Sequence, residues 1–159
     1  MAPGSVCGAP RLPQSPERIT CMTAKLDHLL IPAKDRVSAA KLFAELLDVP
    51  WAEPGAVGPF SPVYVSDELT IDFDQWPEPI PKQHYCFRVG QDEFDAILAR
   101  IKARGLAFRS SPIGTDDYKV NNSFGGNLVY WSEPDGHAWE ILTVSYERRS
   151  LPQAAKLDT

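Results

Sequence analysis

The sequence predicts an α+β fold made of two copies of one pattern: a strand, a helix, then further strands. Three observations carry this. Two helix-period stretches, "DRVSAAKLFAELL" and "DEFDAILARIKAR", set Asp35 against Asp92, an offset of 57. A short apolar run precedes each of them. Each half then ends in turn-punctuated runs with the alternation of half-buried strands. The chain has 159 residues, which is one domain's length and enough to bury a core without staples.

In chain order, "KLDHLLIP" is an apolar run closed by Pro32 and reads as a strand. The helix that follows places Val37, Ala40, Ala44 and Leu47 on one face. Pro50, Pro54, Gly55, Gly58 and Pro59 break the chain, and "SPVYVSD" and "LTIDFDQ" then form a hairpin-like strand pair. A Pro-rich linker, "WPEPIPKQ", leads to the second half. There "QHYCFRV" is the strand, and the helix carries Phe94, Ile97, Leu98 and Ile101 on its apolar face before Gly105 ends it. "GLAFRSS" can add a strand, so a third strand is expected after each helix. After a Gly- and Asn-rich loop come "NLVYWSE" and "HAWEILTVS", joined by a Pro134-Asp135-Gly136 turn. The modules span about 25–76 and 83–146 of a domain over 23–147. Residues 1–22 hold four Pro and little apolar content and read as a disordered tail, with Met22 an alternative start. Residues 148–159 read as a loose C-terminal tail.

The composition is that of an ordinary soluble domain, 43% hydrophobic and 23% charged, with net charge −5. No Lys/Arg cluster invites nucleic acid or an anionic membrane, and no apolar run is long enough for a membrane span. Cys7, Cys21 and Cys86 are too few for a disulfide framework, which favours the cytoplasm.

Histidine is scarce, three in the chain, yet His28 and His84 fall at matching points of the two opening strands, 56 apart. The closing strands set Asp72 opposite Glu140. Their neighbours Ile71, Phe73, Trp139 and Ile141 should pack under the helices, leaving His28, His84, Asp72 and Glu140 on the helix-free face. Two imidazoles and one or two carboxylates on rigid strands make a divalent-metal set with open positions, suited to Fe(II), Mn(II), Zn(II), Ni(II) or Co(II). Taken singly, each has a plainer reading. A lone strand His is more often a core or surface residue, and Asp72 with Asp74 can be a solvated edge. Cys86, on the same face, is a thiolate ligand or, more commonly, a small buried filler. Arg88 pairs with an anionic substrate or with a surface carboxylate. Trp51, Trp76 and Trp131 fit the core or the module seam better than a pocket. Tyr118, Asn121, Asn122 and Phe124 sit in a long loop beside Gly125-Gly126, a lid candidate or an ordinary excursion.

"LDHLLIPAKD", "HYCFRV" and "GGNLVYWSEPDGHAWEILT" together resemble the vicinal oxygen chelate superfamily, which includes glyoxalase I, extradiol dioxygenases and bleomycin- or fosfomycin-resistance proteins. The resemblance covers residues 25–146. It implies paired βαβββ modules whose curled mixed sheet encloses a metal-binding cavity, paired within one chain or across a dimer; the linker at 76–82 does not decide between these, and a homodimer is expected. It implies His28, His84 and Glu140 as ligands, Glu140 also as a catalytic group, and Asp72 as a fourth ligand if its shorter side chain reaches. Tyr118 is the acid–base candidate. Arg88, Asn121, Asn122, Phe124 and Tyr130 are the substrate-contact candidates. His137, in the turn, should face away from the cavity. Many relatives carry Arg after the Gly-Gly pair where this chain has Asn127. The implied function is a metal-dependent lyase/isomerase of the glyoxalase type or a dioxygenase, acting on a small molecule chelated through oxygens. The alternative is a metal-independent drug-binding protein of the bleomycin-resistance type.

Overall fold

The structure, a computed structural model, describes residues 24–146. The two tails, Cys7, Cys21 and Met22 lie outside that span. Strand β1 (His28–Ala33) leads to helix α1 (Arg36–Leu47), then β2 (Ser61–Ser66) and β3 (Leu69–Gln75). Strand β4 (His84–Arg88) leads to α2 (Gln91–Ala103), then β5 (Phe108–Arg109), β6 (Leu128–Ser132) and β7 (Ala138–Leu142). The strands form two mixed sheets, ordered β1-β3-β2 and β4-β7-β6-β5. In each sheet the module's first strand pairs in parallel with its last, with Leu30 opposite Asp72 and Cys86 opposite Glu140.

Local chemistry explains the boundaries. Asp35 caps α1 by accepting from the backbone N–H groups of Val37 and Ser38, both at 3.1 Å. At α2 the Glu93 carboxylate reaches back to the Gly90 N–H at 2.8 Å, and Gly105, at φ +66°, turns the chain out. The second module has its third strand in β5. In the first module the equivalent stretch is reduced to one bridge, Trp51 to Val63. The prolines at 50, 54 and 59 remove the donors a longer strand would need.

One apolar core serves both modules. Ile71, Phe73, Trp139 and Ile141 are buried in it on the helix side, as the alternation requires. On α2 the buried residues are Phe94, Ile97, Leu98 and Ile101, the four expected. On α1 they are Ala40, Phe43, Ala44 and Leu46, so the buried face is rotated from the expected one and Val37 and Leu47 are only half-buried. Phe43 sets that rotation: its ring lies 4.3 Å from Trp139 and 5.9 Å from Phe87, both in the second module. Among the described residues no helix is long and apolar enough to cross a membrane.

Candidate functional site

Helix packing on one face of the second sheet leaves the other face to polar side chains. Across it, in cross-strand register, run Arg109 on β5, Tyr130 on β6, Glu140 on β7 and Cys86 on β4. His84 stands beside them at the open edge of β4. Its Nε2 lies 3.1 Å from Oε2 of Glu140.

Glu140 is fully buried, which a carboxylate tolerates only when partnered. Its Oε2 also accepts from the Tyr146 hydroxyl at 3.3 Å. Its Oε1 has no hydrogen-bond partner among the described residues. A buried carboxylate oxygen with an unused lone pair, beside an imidazole nitrogen, is a donor set that fits a divalent cation. Tyr130 packs edge-on to His84 at 5.9 Å. Burial, then its hydrogen bond with Tyr146 and the charge of Glu140, push the Tyr130 phenol far above its ordinary range. Burial also raises Tyr146, with Glu140 adding to it. Both phenols are therefore held protonated at neutral pH, next to the carboxylate.

His28 belongs to the other sheet. It is exposed, 57% by side chain, and its Nδ1 lies 2.8 Å from Asp27. That hydrogen bond, with smaller contributions from the charges of Asp27 and Asp72, raises its pKa. Asp72 is half-buried on the same face, and burial raises its pKa against the pull of His28. Among the described residues, no three His, Cys, Asp or Glu side chains gather in one place. The chain thus carries two separate half-sites, His28 with Asp72 and His84 with Glu140.

The remaining candidates divide. Tyr130 and Phe124 join the second half-site: the Phe124 ring lies 5.3 Å from Tyr146, which touches Glu140. Tyr118 packs edge-on at 5.3 Å against Phe108, a core-facing residue, and not against the His84–Glu140 pair. Asn121 pins the loop, donating to the Ser110 carbonyl at 3.1 Å and bridging to Leu128. Asn122 is exposed beside it. Arg88 is exposed and makes no ion pair among the described residues. It edges a cleft of about 510 Å³ at the module seam, floored by Phe87, Ile97 and Ile141, which neither His84 nor Glu140 lines. Cys86 is exposed, not a buried filler, because β4 is the edge of its sheet. Trp131 is core, Trp51 half-buried, and Trp76 exposed with its N–H on Asp74.

Two residues escaped the sequence reading, and a third, His137, was read only in part. Tyr146 lies beyond the closing strand; an aromatic six positions after Glu140 was the available signal. Arg109 sits on a strand of two residues, too short for its alternation to be read. His137 does face away from Glu140, but it is buried and bonded at both ring nitrogens. Nδ1 accepts from the Gln83 N–H at 3.1 Å, so Nε2 carries the proton and donates to the Pro32 carbonyl at 2.8 Å.

Paired strand–helix–strand modules with two helices packed on open, mixed sheets are the architecture of the vicinal oxygen chelate type. Solved structures place the chain more narrowly. It is 40% identical to oxidase ChaP-H1, with TM-score 0.71 over 78% of this chain and 98% of that one. It is 34% identical to oxidase ChaP-H2, with TM-score 0.73 over 79% and 97%. A glyoxalase/dioxygenase from Nostoc punctiforme shares the fold at 19% identity, TM-score 0.57, over 76% and 91%. No protein-family model matches the chain, and no curated protein sequence does. The chain belongs to the vicinal oxygen chelate superfamily.

Proposed function

We propose that this protein is a divalent-metal-dependent oxidoreductase acting on a small molecule chelated through two oxygens. The observation that carries this is the buried Glu140, whose Oε1 lacks a partner among the described residues while Oε2 faces His84. The oxidative reading is favoured over a glyoxalase-type lyase because the two relatives above 30% identity are named oxidases.

In this reading His84 and Glu140 hold the metal with His28 of a second copy, in a homodimer, and Asp72 stands near as an optional fourth group. The support is geometric. The two half-sites lie on different sheets, β1 and β4 are both edge strands, and both imidazoles are exposed. A bound ion, whether Fe, Mn, Zn, Ni or Co, would supply Lewis-acid activation of the chelated oxygens. The chain's own residues do the rest. Tyr146 and His84 fix the rotamer of Glu140. The protonated Tyr130 and Tyr146 offer hydroxyls to a substrate oxygen. Phe124, Tyr130 and Tyr146 shield the face from water. A cytoplasmic location accords with the sparse cysteines.

Metal analysis by ICP-MS tests the proposal. Wild type should carry about one first-row metal per chain, and His28→Ala, His84→Ala and Glu140→Ala should each lose it. Unfolding and remixing His28→Ala with Glu140→Ala should restore about a quarter of the sites, since random pairing makes half the dimers mixed and each mixed dimer has one intact site. A wild type that cannot be loaded sinks the metal reading. The aromatic group of Phe124, Tyr130 and Tyr146 would then favour the second reading, a metal-free small-molecule binder.

A further inference from the structure

Four buried side-chain atoms lack a hydrogen-bond partner among the described residues: Nε of Arg109, the indole nitrogens of Trp131 and Trp139, and Oε1 of Glu140. The two indoles are in the helix-side core. The other two are charged groups on the same face of the same sheet. In register, Arg109 stands opposite Tyr130 and Tyr130 opposite Glu140. The backbone positions of Arg109 and Glu140 therefore stand two strand spacings apart, about 10 Å.

Arg109 is poorly satisfied where it stands. Only 13% of its side chain is exposed. Its Nη1 reaches Asp116 at 3.4 Å and its Nη2 reaches Ser132 Oγ at 3.5 Å, both at the long end for a hydrogen bond. Asp116, its only ion-pair partner among the described residues, sits on the loop after β5 and is 42% exposed. A largely buried guanidinium with one unused donor and two slack ones has capacity for a bidentate anion. Nothing in the helix packing or the strand pairing requires a cation there. Tyr130 stands between the two ends, buried, with its ring edge-on to His84 at 5.9 Å.

We propose that Arg109 is the anion-binding residue of the substrate site, and that the substrate is an elongated acid. Its chelating oxygens lie at His84 and Glu140, and its carboxylate or comparable anionic group lies two strands away at Arg109. This rests on the metal reading above and narrows it from any chelating small molecule to one with a distal negative charge.

Isothermal titration of the zinc-loaded protein with 3,4-dihydroxycinnamate and with its methyl ester tests this. The two differ in the distal charge and by one methyl group. Wild type should bind the acid about tenfold more tightly than the ester. Arg109→Gln should bring the two together by weakening the acid alone, with zinc content unchanged, and Arg109→Lys should keep part of the preference. Asp116→Asn, which frees the guanidinium, should widen the preference several-fold. It decides the matter if Arg109→Gln does not fold. The proposal is overturned if wild type shows no preference or binds neither probe, if Arg109→Gln keeps the preference, or if Asp116→Asn leaves it unchanged. Failure of the metal reading looks different: wild type then holds no zinc. The acid and methyl ester of 4-hydroxycinnamate, which cannot chelate, then give the same comparison at Arg109.

Discussion

The Nε2 of His137 lies 2.8 Å from the carbonyl oxygen of Pro32, a bond between residues 105 positions apart. It joins the turn before β7 to the buried end of β1, while Nδ1 receives the Gln83 N–H just before β4. One imidazole thus ties together three segments from both modules. His137→Ala should cost about 3 kcal/mol, since it strands the buried Pro32 carbonyl, removes the acceptor of the Gln83 N–H and leaves a void. Urea denaturation measures this. Metal content of the folded fraction should be unchanged, which separates His137 from His84.

Gly126 is held against the chain beyond β7. A Cβ there would stand 2.6 Å from Thr143 Oγ1 and 2.7 Å from Val144 Cγ2. Thr143 also accepts the Asn127 N–H at 2.9 Å, so this contact sets how the segment leading to Tyr146 leaves the sheet. Gly126→Ala should destabilise by about 1–3 kcal/mol and move Tyr146 away from Glu140. Thermal melts give the first effect. A drop in the affinity of the reconstituted metal gives the second.

The Asp35 cap yields an acid-side prediction. Its bonds from Ser38 and Val37 lower the carboxyl's pKa below the usual value. A lowered pKa adds stability that is present above the unfolded value of about 3.9 and is lost as pH falls through the folded one. Asp35→Ala should therefore cost about 1 kcal/mol at neutral pH. The gap from wild type should close below about pH 4. Denaturant midpoints of both proteins across that range check it.

Three of the five tyrosines yield an alkaline one. Burial raises Tyr85, Tyr130 and Tyr146. The folded chain keeps phenol protons that the unfolded chain releases, so stability should fall as pH climbs past about 10. Ultraviolet titration of metal-free protein should show these three ionising late, and melting temperatures should decline over the same interval. Ionisation of all three at the ordinary tyrosine midpoint in the folded protein would contradict the buried placement of these rings.

The sequence showed most where its periodicity was unambiguous. All four core residues of α2 follow from its pattern, because its opposite face is charged. α1 is apolar on too many sides for its own period to mark the buried face, and Phe43 was settled by Trp139 in the other module. The faces of the closing strands were legible from Ile71, Phe73, Trp139 and Ile141, and with them the shared outlook of Asp72 and Glu140. The match of His28 to His84 was legible as a repeat but said nothing of distance, which depends on how two sheets are set. The bonds of His137 could not be read at all, since its partner is a backbone carbonyl far away in sequence. Arg109 was hidden by the shortness of its strand.

The parallel closure of each module fixes an order of events during synthesis. Leu30 can meet Asp72 once the first module has left the ribosome, with the second still unmade. His84 must wait for Glu140, 56 residues later. Until then the β4 edge, with its cysteine and imidazole, has no neighbour in its own sheet. The newborn protein therefore passes through an interval in which a paired first sheet accompanies an open strand, and in that interval a chaperone or a neighbouring nascent chain has most to act on.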